Sequence, residues 1–177
     1  SASWQNDFSF KTGEVNHVFT GGVDYYNDEV ESTSTFTDAT GKPVKERDNV
    51  GTFLQEQMEI GKHQLVLGLR NDNHEQYHNN ATGNISYGYT LRDDLKFVTS
   101  YGTAFRAPTF NDLFWPITPW SAGNPNLKPE ESINYEIGLK GTPSWGTWSV
   151  NVFENNVDQL IEWAEVPAGS WFYTPSN

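Results

Sequence analysis

The chain has 177 residues, long enough for one domain, and carries 11 basic and 23 acidic side chains, a net charge of −12. Proteins that bind DNA or RNA need clustered Lys and Arg to displace counterions, so this charge excludes nucleic acid as a partner. The absence of cysteine excludes disulfide scaffolds, cysteine zinc sites and thiol nucleophiles. Aromatic residues make up 15% of the chain and charged residues only 19%, a composition that is not typical of a soluble helical protein.

Apolar and polar residues alternate through most of the chain. In the stretch 95–105 the odd positions carry Leu, Phe, Thr and Tyr, whereas the even positions carry Lys, Val, Ser, Gly and Ala. A period of two over this length predicts β-strands, because successive strand residues point to opposite faces. The predicted strands are residues 2–11, 16–30, 49–60, 63–74, 82–92, 94–106, 131–142, 146–163 and 170–175. The fold class is therefore all-β, an antiparallel up-and-down meander of about nine long strands.

The connections between these strands alternate in length. Short turns are predicted at residues 13–14, 61–62, 92–93 and 143–145. Long polar loops are predicted at residues 31–48, 71–81, 106–130 and 164–169. Short turns at one end, long loops at the other and long amphipathic strands between them indicate part of a transmembrane β-barrel.

Strand register assigns each side chain to one of two faces. Tyr87, Phe97 and Tyr135 are predicted to face lipid, and Ser86, Lys96 and Glu136 to face the lumen. The alternative is an aromatic-rich soluble sheet with one packed face. Lumenal amides and charges favour the barrel, since a dry core would leave them unpaired.

Residues 100–141 carry a motif that is more specific than periodicity. A strand ends in F-R-A-P at Phe105–Pro108, residues 123–132 read G-N-P-N-L-K-P-E-E-S, and N-Y-E-I-G follows. This pattern resembles the barrel signature of TonB-dependent outer-membrane receptors. The spacing from 50–70 through Leu160-Ile161 is most similar to the vitamin B12 (cobalamin) receptor group.

The resemblance implies an outer-membrane receptor that imports a bulky, scarce nutrient, with cobalamin the first expectation. Such receptors have about 22 strands around an N-terminal plug domain. Residues 1–177 are therefore expected to be a partial barrel domain from the middle of a receptor, without the plug domain or the TonB box. The expected partners are outer-membrane lipid, the small-molecule nutrient and, in the intact receptor, the plug domain and the TonB complex. An unclosed sheet has two unpaired edges, so the isolated fragment is expected to self-associate.

Two other functions stay open at this point. One is a siderophore or haem receptor of the same family, and the other is a soluble β-rich module that binds carbohydrate. An enzyme is not expected, because no nucleophile-elbow, zinc-protease or phosphate-loop motif is present and no catalytic residue can be named.

The loop 106–130 is rich in large apolar side chains, namely Phe110, Leu113, Phe114, Trp115, Ile117 and Trp120. An exposed aromatic cluster of this size needs a partner, which is either a ligand or another packed segment. In the receptor that the resemblance implies, the loop would lie above the lumen. We therefore predict Phe114, Trp115 and Trp120 as substrate-binding residues, with packing of the loop on itself as the alternative.

Acidic residues gather around the first long loop, at Asp24, Asp28, Glu29, Glu31, Asp38, Glu46 and Asp48. Their spacing matches no defined metal-binding loop, so no metal ligand and no cofactor are assigned. The resemblance to the cobalamin receptor group nevertheless implies that Ca²⁺ could order extracellular loops. His74 and His78, in the predicted loop 71–81, could suggest haem or a transition metal, although loop histidines are more often simply polar.

Overall fold

The computed structural model describes residues 1–30, 36 and 46–177. Eight strands form one sheet in chain order, and every neighbouring pair is antiparallel. They are β1 (Ala2–Thr12), β2 (Val15–Glu29), β3 (Glu46–Ile60), β4 (His63–His74), β5 (His78–Arg92), β6 (Leu95–Arg106), β7 (Glu130–Gly141) and β8 (Trp148–Asp158). The predicted all-β meander is confirmed. The sheet is open, since β1 and β8 lie at its two edges among the described residues.

The strands of this sheet are long. Each has 11 to 15 residues, whereas strands of globular proteins usually have about five or six. About 9–11 residues are enough for a tilted strand to cross the hydrocarbon core of a bilayer. The strand length therefore fits a membrane-crossing sheet and leaves residues that extend beyond it.

The register confirms the predicted grouping of side chains by face. Tyr101 is opposite Tyr135, and Tyr89 is opposite Phe97, so these aromatic side chains share one face. Ser100 is opposite Glu136 on the other face. Since the side-chain period is two, each pair fixes the face of every residue in its strands.

Among the described residues, no protein layer covers the apolar face of the sheet. Leu69 is 70% exposed and Val152 is 72% exposed, although both are aliphatic and in the middle of strands. Other members of this face with large exposed fractions are Trp4, Phe8, Leu54, Ile85, Tyr135, Ile137 and Val150. Monomeric soluble proteins rarely expose apolar surface this continuous, so the face needs an apolar solvent or partner.

The predicted loop 71–81 is wrong. β4 continues to His74 and β5 begins at His78, so only the turn 75–77 separates them. The ladder continues through polar pairs such as Asn73 and Asn79. Strand ends that extend into water no longer need an apolar face, so alternation of polarity disappears while backbone pairing continues.

The end of the chain also differs from the prediction. The eighth strand ends at Asp158 rather than at 163, and Gln159 has a φ of 55°, outside the strand region. The predicted ninth strand at 170–175 does not join the large sheet. Instead β9 (Glu162–Glu165) and β10 (Tyr173–Ser176) pair with each other in a separate antiparallel hairpin.

The described part of the first long loop is short. β3 begins at Glu46, three residues earlier than predicted, and most of the predicted loop 31–48 lies outside the described residues. The only helix among the described residues is α1 (Phe110–Phe114), which has five residues. No helix among the described residues is long enough and apolar enough to cross a membrane.

Candidate functional site

The loop between β6 and β7 folds around a small apolar core, to which Phe36 from the first long loop also belongs. The N-terminus of α1 is closed by a capping box, in which the Thr109 hydroxyl accepts from the Asp112 N–H and the Asp112 carboxylate accepts from the Thr109 N–H. The side chains that this helix buries pack with two others in one cluster, made of Phe36, Phe110, Leu113, Phe114 and Leu127. Burial of these side chains explains why an apolar sequence forms an ordered loop.

The base of this loop is closed by two charged side chains. Arg106, the last residue of β6, forms a two-point ion pair with Glu130, the first residue of β7; Arg106 Nε donates to Glu130 Oε2 at 2.6 Å. Glu130 Oε1 also accepts from the Ile161 N–H at 2.8 Å. Arg106 and Glu130 belong to the motif at residues 100–141, and their ion pair holds the two ends of the loop together.

Arg47 attaches the loop to the polar face of the sheet. Its Nη1 donates to the carbonyl oxygen of Pro108 at 2.7 Å, and its guanidinium lies 4.4 Å from the centre of the Phe110 ring. Asp28, on the neighbouring strand β2, forms an ion pair with Arg47, with Arg47 Nη2 3.4 Å from Asp28 Oδ2. The loop is therefore fixed to β3 as well as to β6 and β7.

The hairpin β9–β10 packs against the same loop. Trp163 Nε1 donates to Asp112 Oδ1 at 3.0 Å. The Tyr173 N–H donates to the Trp120 carbonyl at 2.8 Å, and the Ala122 N–H donates to the Tyr173 carbonyl at 3.1 Å. Loop 106–130 and the hairpin thus form one folded unit, which we call the rim unit.

The rim unit presents a group of exposed indole and phenol rings. Trp115 meets Trp163 edge to face, with ring centres 6.3 Å apart. Trp120 is 66% exposed, and Tyr173, which is bonded to it through the backbone, is 44% exposed. Aromatic rings in such a group offer a large contact area at low cost in side-chain entropy.

Trp171, which lies between β9 and β10, has an unusual backbone conformation. It is 72% exposed and has a φ of 61°, in the left-handed region that bulky residues avoid. Glycine would suit this position better on backbone grounds alone. Holding an exposed tryptophan there costs about 1–3 kcal/mol and is typical of positions with a function.

The three predicted site residues have different environments. Trp115 and Trp120 lie on the exposed surface of the rim unit, whereas Phe114 is buried in the loop core. Ligand contact by these residues stays a prediction. Sequence analysis missed Trp163, Trp171 and Tyr173, because they fell in predicted strands and no sequence signal joined that segment to loop 106–130.

His74 has hydrogen-bond partners within the protein. His74 is buried, and its Nδ1 accepts the N–H groups of Gln76 and Tyr77, so it closes the turn 75–77. Among the described residues no group of three His, Asp or Glu side chains is placed to hold a metal ion. Glu31 and Asp38 lie outside the described residues, and loop Ca²⁺ stays a prediction.

Three acidic residues of β2 and β3, namely Asp24, Asp28 and Asp48, have protein partners. Asp24 and Asp28 bond to Arg70 and Arg47 on the polar face. Asp48 accepts from the Tyr25 hydroxyl at 2.7 Å and from Asn27 Nδ2 at 2.9 Å on the opposite face. The predicted acidic cluster is therefore divided between two faces of the sheet.

The family of the chain follows from comparison with known proteins. Residues 1–176 match the family model described as TonB dependent receptor-like, beta-barrel. The chain belongs to the TonB-dependent receptor family. The resemblance inferred from F-R-A-P and the motif at 123–132 is confirmed.

Two curated relatives are vitamin B12 transporters. BtuB of Photobacterium profundum is 39% identical over 175 residues, covering 96% of this chain and 27% of the relative. BtuB of Vibrio vulnificus (strain YJ016) is 34% identical over 157 residues, covering 88% of this chain and 24% of the relative. This TonB-dependent receptor chain thus spans about a quarter of the length of the curated relatives that it matches.

Solved structures of receptors share the fold. The siderophore receptor PirA from Pseudomonas aeruginosa superposes with a TM-score of 0.81 at 19% identity, covering 99% of this chain and 33% of that one. A mutant of the ferric enterobactin receptor PfeA from the same organism superposes with a TM-score of 0.78 at 18% identity, covering 99% of this chain and 30% of that one. These likenesses establish the barrel architecture of the sheet.

Proposed function

We propose that this chain forms part of the wall and rim of an outer-membrane receptor that binds cobalamin and imports it with energy from the TonB complex. The observation that carries the proposal is 39% identity to a vitamin B12 transporter across 96% of the chain. The plug domain and the TonB complex are partners in the same proposal. The described residues contribute transport scaffold and ligand contact, and catalysis has no part in it.

The exposed apolar face supports an outer-membrane location. Its aliphatic and aromatic side chains would contact acyl chains, which take the place that a second protein layer has in a soluble sandwich, and the polar face would line the lumen. A groove of about 750 Å³ on the apolar side is lined in part by Ile85, Tyr101, Tyr135 and Val152. The family match and this face leave the soluble carbohydrate-binding module without support.

The rim unit supports ligand contact. Trp115, Trp120 and Tyr173 expose rings on one folded unit that several hydrogen bonds hold to the barrel. A corrin is a large, flat ring system, and aromatic side chains are suited to contact it. Phe114 would act indirectly, by keeping α1 packed in the loop core.

The test is a Trp115→Ala, Trp120→Ala double variant of the intact receptor, assayed for cobalamin binding in outer membranes. Each buried ring is worth about 1–3 kcal/mol, so we expect binding weaker by about 2–6 kcal/mol, roughly thirtyfold to more than a thousandfold. Trp145→Ala is the matched control, because Trp145 is 77% exposed in the turn between β7 and β8 at the opposite end of the sheet.

Affinity of the double variant within about threefold of the wild type, at normal receptor levels, would show that the two rings serve only loop packing. An intact wild-type receptor that binds no cobalamin would contradict the proposed ligand. Binding of a siderophore by that receptor would then support the second function within the family.

A further inference from the structure

All four arginines of the chain are engaged in ion pairs. Three of them belong to the polar face, near the end of the sheet that carries the rim unit. The pairs are Arg47 with Asp28, Arg70 with Asp24 and Asp72, Arg92 with Asp94, and Arg106 with Glu130. Arginine is the side chain that proteins use most to bind carboxylates, phosphates and other anions. Because each arginine here is already paired with a carboxylate of the protein, it is less available to bind an anionic ligand.

Arg70 is the most completely occupied of the four. Its Nη1 and Nη2 donate to the two oxygens of Asp24 at 2.7 and 3.0 Å. Its Nε and Nη2 donate to the two oxygens of Asp72, both at 2.7 Å. Four of its five N–H bonds therefore point to carboxylates, and two negative charges surround one positive charge.

The backbone leaves room for this arrangement. The register places Gly51 between Asp24 on β2 and Asp72 on β4. A Cβ at position 51 would overlap Arg70 Nη2. The absence of a side chain at Gly51 thus lets the guanidinium lie flat across β3 and reach both carboxylates.

The three arginines of the polar face meet at one open pocket. It has a volume of about 370 Å³ and is lined by Arg47, Arg70, Arg106, Asp28, Asp72 and His74, among others. With Asp24 and Glu130, four carboxylates are paired with three arginines around this pocket. Among the described residues, an anion entering it would meet guanidiniums that are each already paired with a carboxylate, and more carboxylates than guanidiniums. A neutral group would meet no such penalty.

We propose that Asp24 and Asp72 are selectivity residues, which occupy Arg70 so that this part of the lumen accepts neutral ligand groups and rejects anionic ones. The inference rests on the proposed function, since it concerns the ligand of that receptor. It adds a physical reason why a wall of this fold would suit a neutral, amide-bearing ligand better than an anionic siderophore.

The experiment compares two ligands that differ by one charge. The probes are cyanocobalamin and its monocarboxylic acids, in which one peripheral carboxamide is hydrolysed to a carboxylate, each isomer tested separately. Binding is measured on the intact receptor in outer membranes. For the wild type we expect at least one isomer to bind about tenfold more weakly than cyanocobalamin.

The decisive variant is Asp24→Asn, Asp72→Asn, which keeps side-chain size and removes both negative charges. We expect the discrimination against that isomer to fall to about threefold or less, because Arg70 becomes free to bind the added carboxylate. Adding Arg70→Gln to this variant should bring back only part of the discrimination, because the free guanidinium is removed while the two carboxylates remain absent. The matched control is Asp94→Asn, which frees Arg92 at the short-turn end of the sheet and should change nothing.

A second variant covers the case in which the double variant fails to reach the membrane. Arg70→Gln alone leaves both carboxylates in place and removes the positive charge between them, so discrimination against the acid should rise above the wild-type value. Equal affinity of the wild type for cyanocobalamin and every acid would overturn the inference, as would discrimination unchanged within about twofold in all variants. A wild type that binds neither ligand would instead contradict the proposed function.

Discussion

Arg106 and Glu130 close the rim loop at its base through a two-point ion pair, with Arg106 Nε 2.6 Å from Glu130 Oε2. The same carboxylate accepts the Ile161 N–H, so one side chain connects β6, β7 and the segment that leads to the hairpin. Such a shared acceptor couples two parts of the rim unit that are far apart in the chain. The consequence can be measured with conservative variants.

Glu130→Gln should loosen loop and hairpin together. The amide keeps the shape but cannot accept two charge-assisted bonds, so we expect a loss of about 1–3 kcal/mol in the stability of the docked rim unit. Limited proteolysis of the intact receptor in detergent should then cut both 107–129 and 159–172 faster. Asp94→Asn, which breaks the exposed pair with Arg92, is the control and should leave both rates unchanged. Faster cleavage of only one segment would contradict the coupling.

Gly51→Ala should displace the Arg70 guanidinium. A Cβ at this position overlaps Arg70 Nη2 and approaches Asp24 Oδ1, so the two-sided ion pair cannot keep its geometry. We expect the barrel to be destabilised by about 1–3 kcal/mol, measured by urea unfolding in detergent. Gly146→Ala is the control, because a Cβ at Gly146 would meet nothing within 4 Å. Equal stability of the two variants would show that the ion pair tolerates the methyl group.

Tyr77→Phe should alter the stability of the rim unit in a pH-dependent way. Burial raises the pKa of Tyr77 to about 12, and its hydroxyl donates to the Leu127 carbonyl at 3.2 Å. The neutral phenol is favoured in the folded state, so its contribution is complete below pH 10 and is lost as the pH rises toward 12. At neutral pH the free energy of unfolding of the wild type should exceed that of the variant by about 0.5–1.5 kcal/mol.

The measurement for Tyr77 is urea unfolding of the intact receptor in detergent across this pH range. The difference between wild type and variant should shrink above pH 10, since the Phe side chain does not titrate. Two stability curves that stay parallel to pH 12 would contradict the burial of the phenol.

The isolated chain 1–177 should self-associate or require detergent. β1 and β8 lie at the edges of the described sheet, with backbone groups free to pair with another chain, and the apolar face is exposed. Size-exclusion chromatography with light scattering, with and without detergent, tests this. A monodisperse monomer in plain buffer would show that the chain folds differently when it is alone.

The sequence by itself determined most of the strands of the large sheet, their faces and the family. Alternation is a local property of period two, so it was sufficient to assign Tyr87, Phe97 and Lys96 to their faces. It failed at 71–81, where the strands extend beyond the apolar zone and polarity no longer reports pairing. It also failed at 162–176, where a short hairpin has strand-like composition but belongs to the rim unit.

Only the tertiary structure decided which side chains form the candidate site. Arg70 and Asp24 are 46 positions apart, and Trp163 and Asp112 are 51 apart. Contacts over such separations depend on the register of several strands and on the path of a loop, which no local pattern encodes. The sequence could name Trp115 and Trp120 as exposed rings, but their grouping with Trp163 and Tyr173 depends on the docking of the hairpin. The pairing of Arg70 with Asp24 and Asp72 depends on the ladder between β2, β3 and β4.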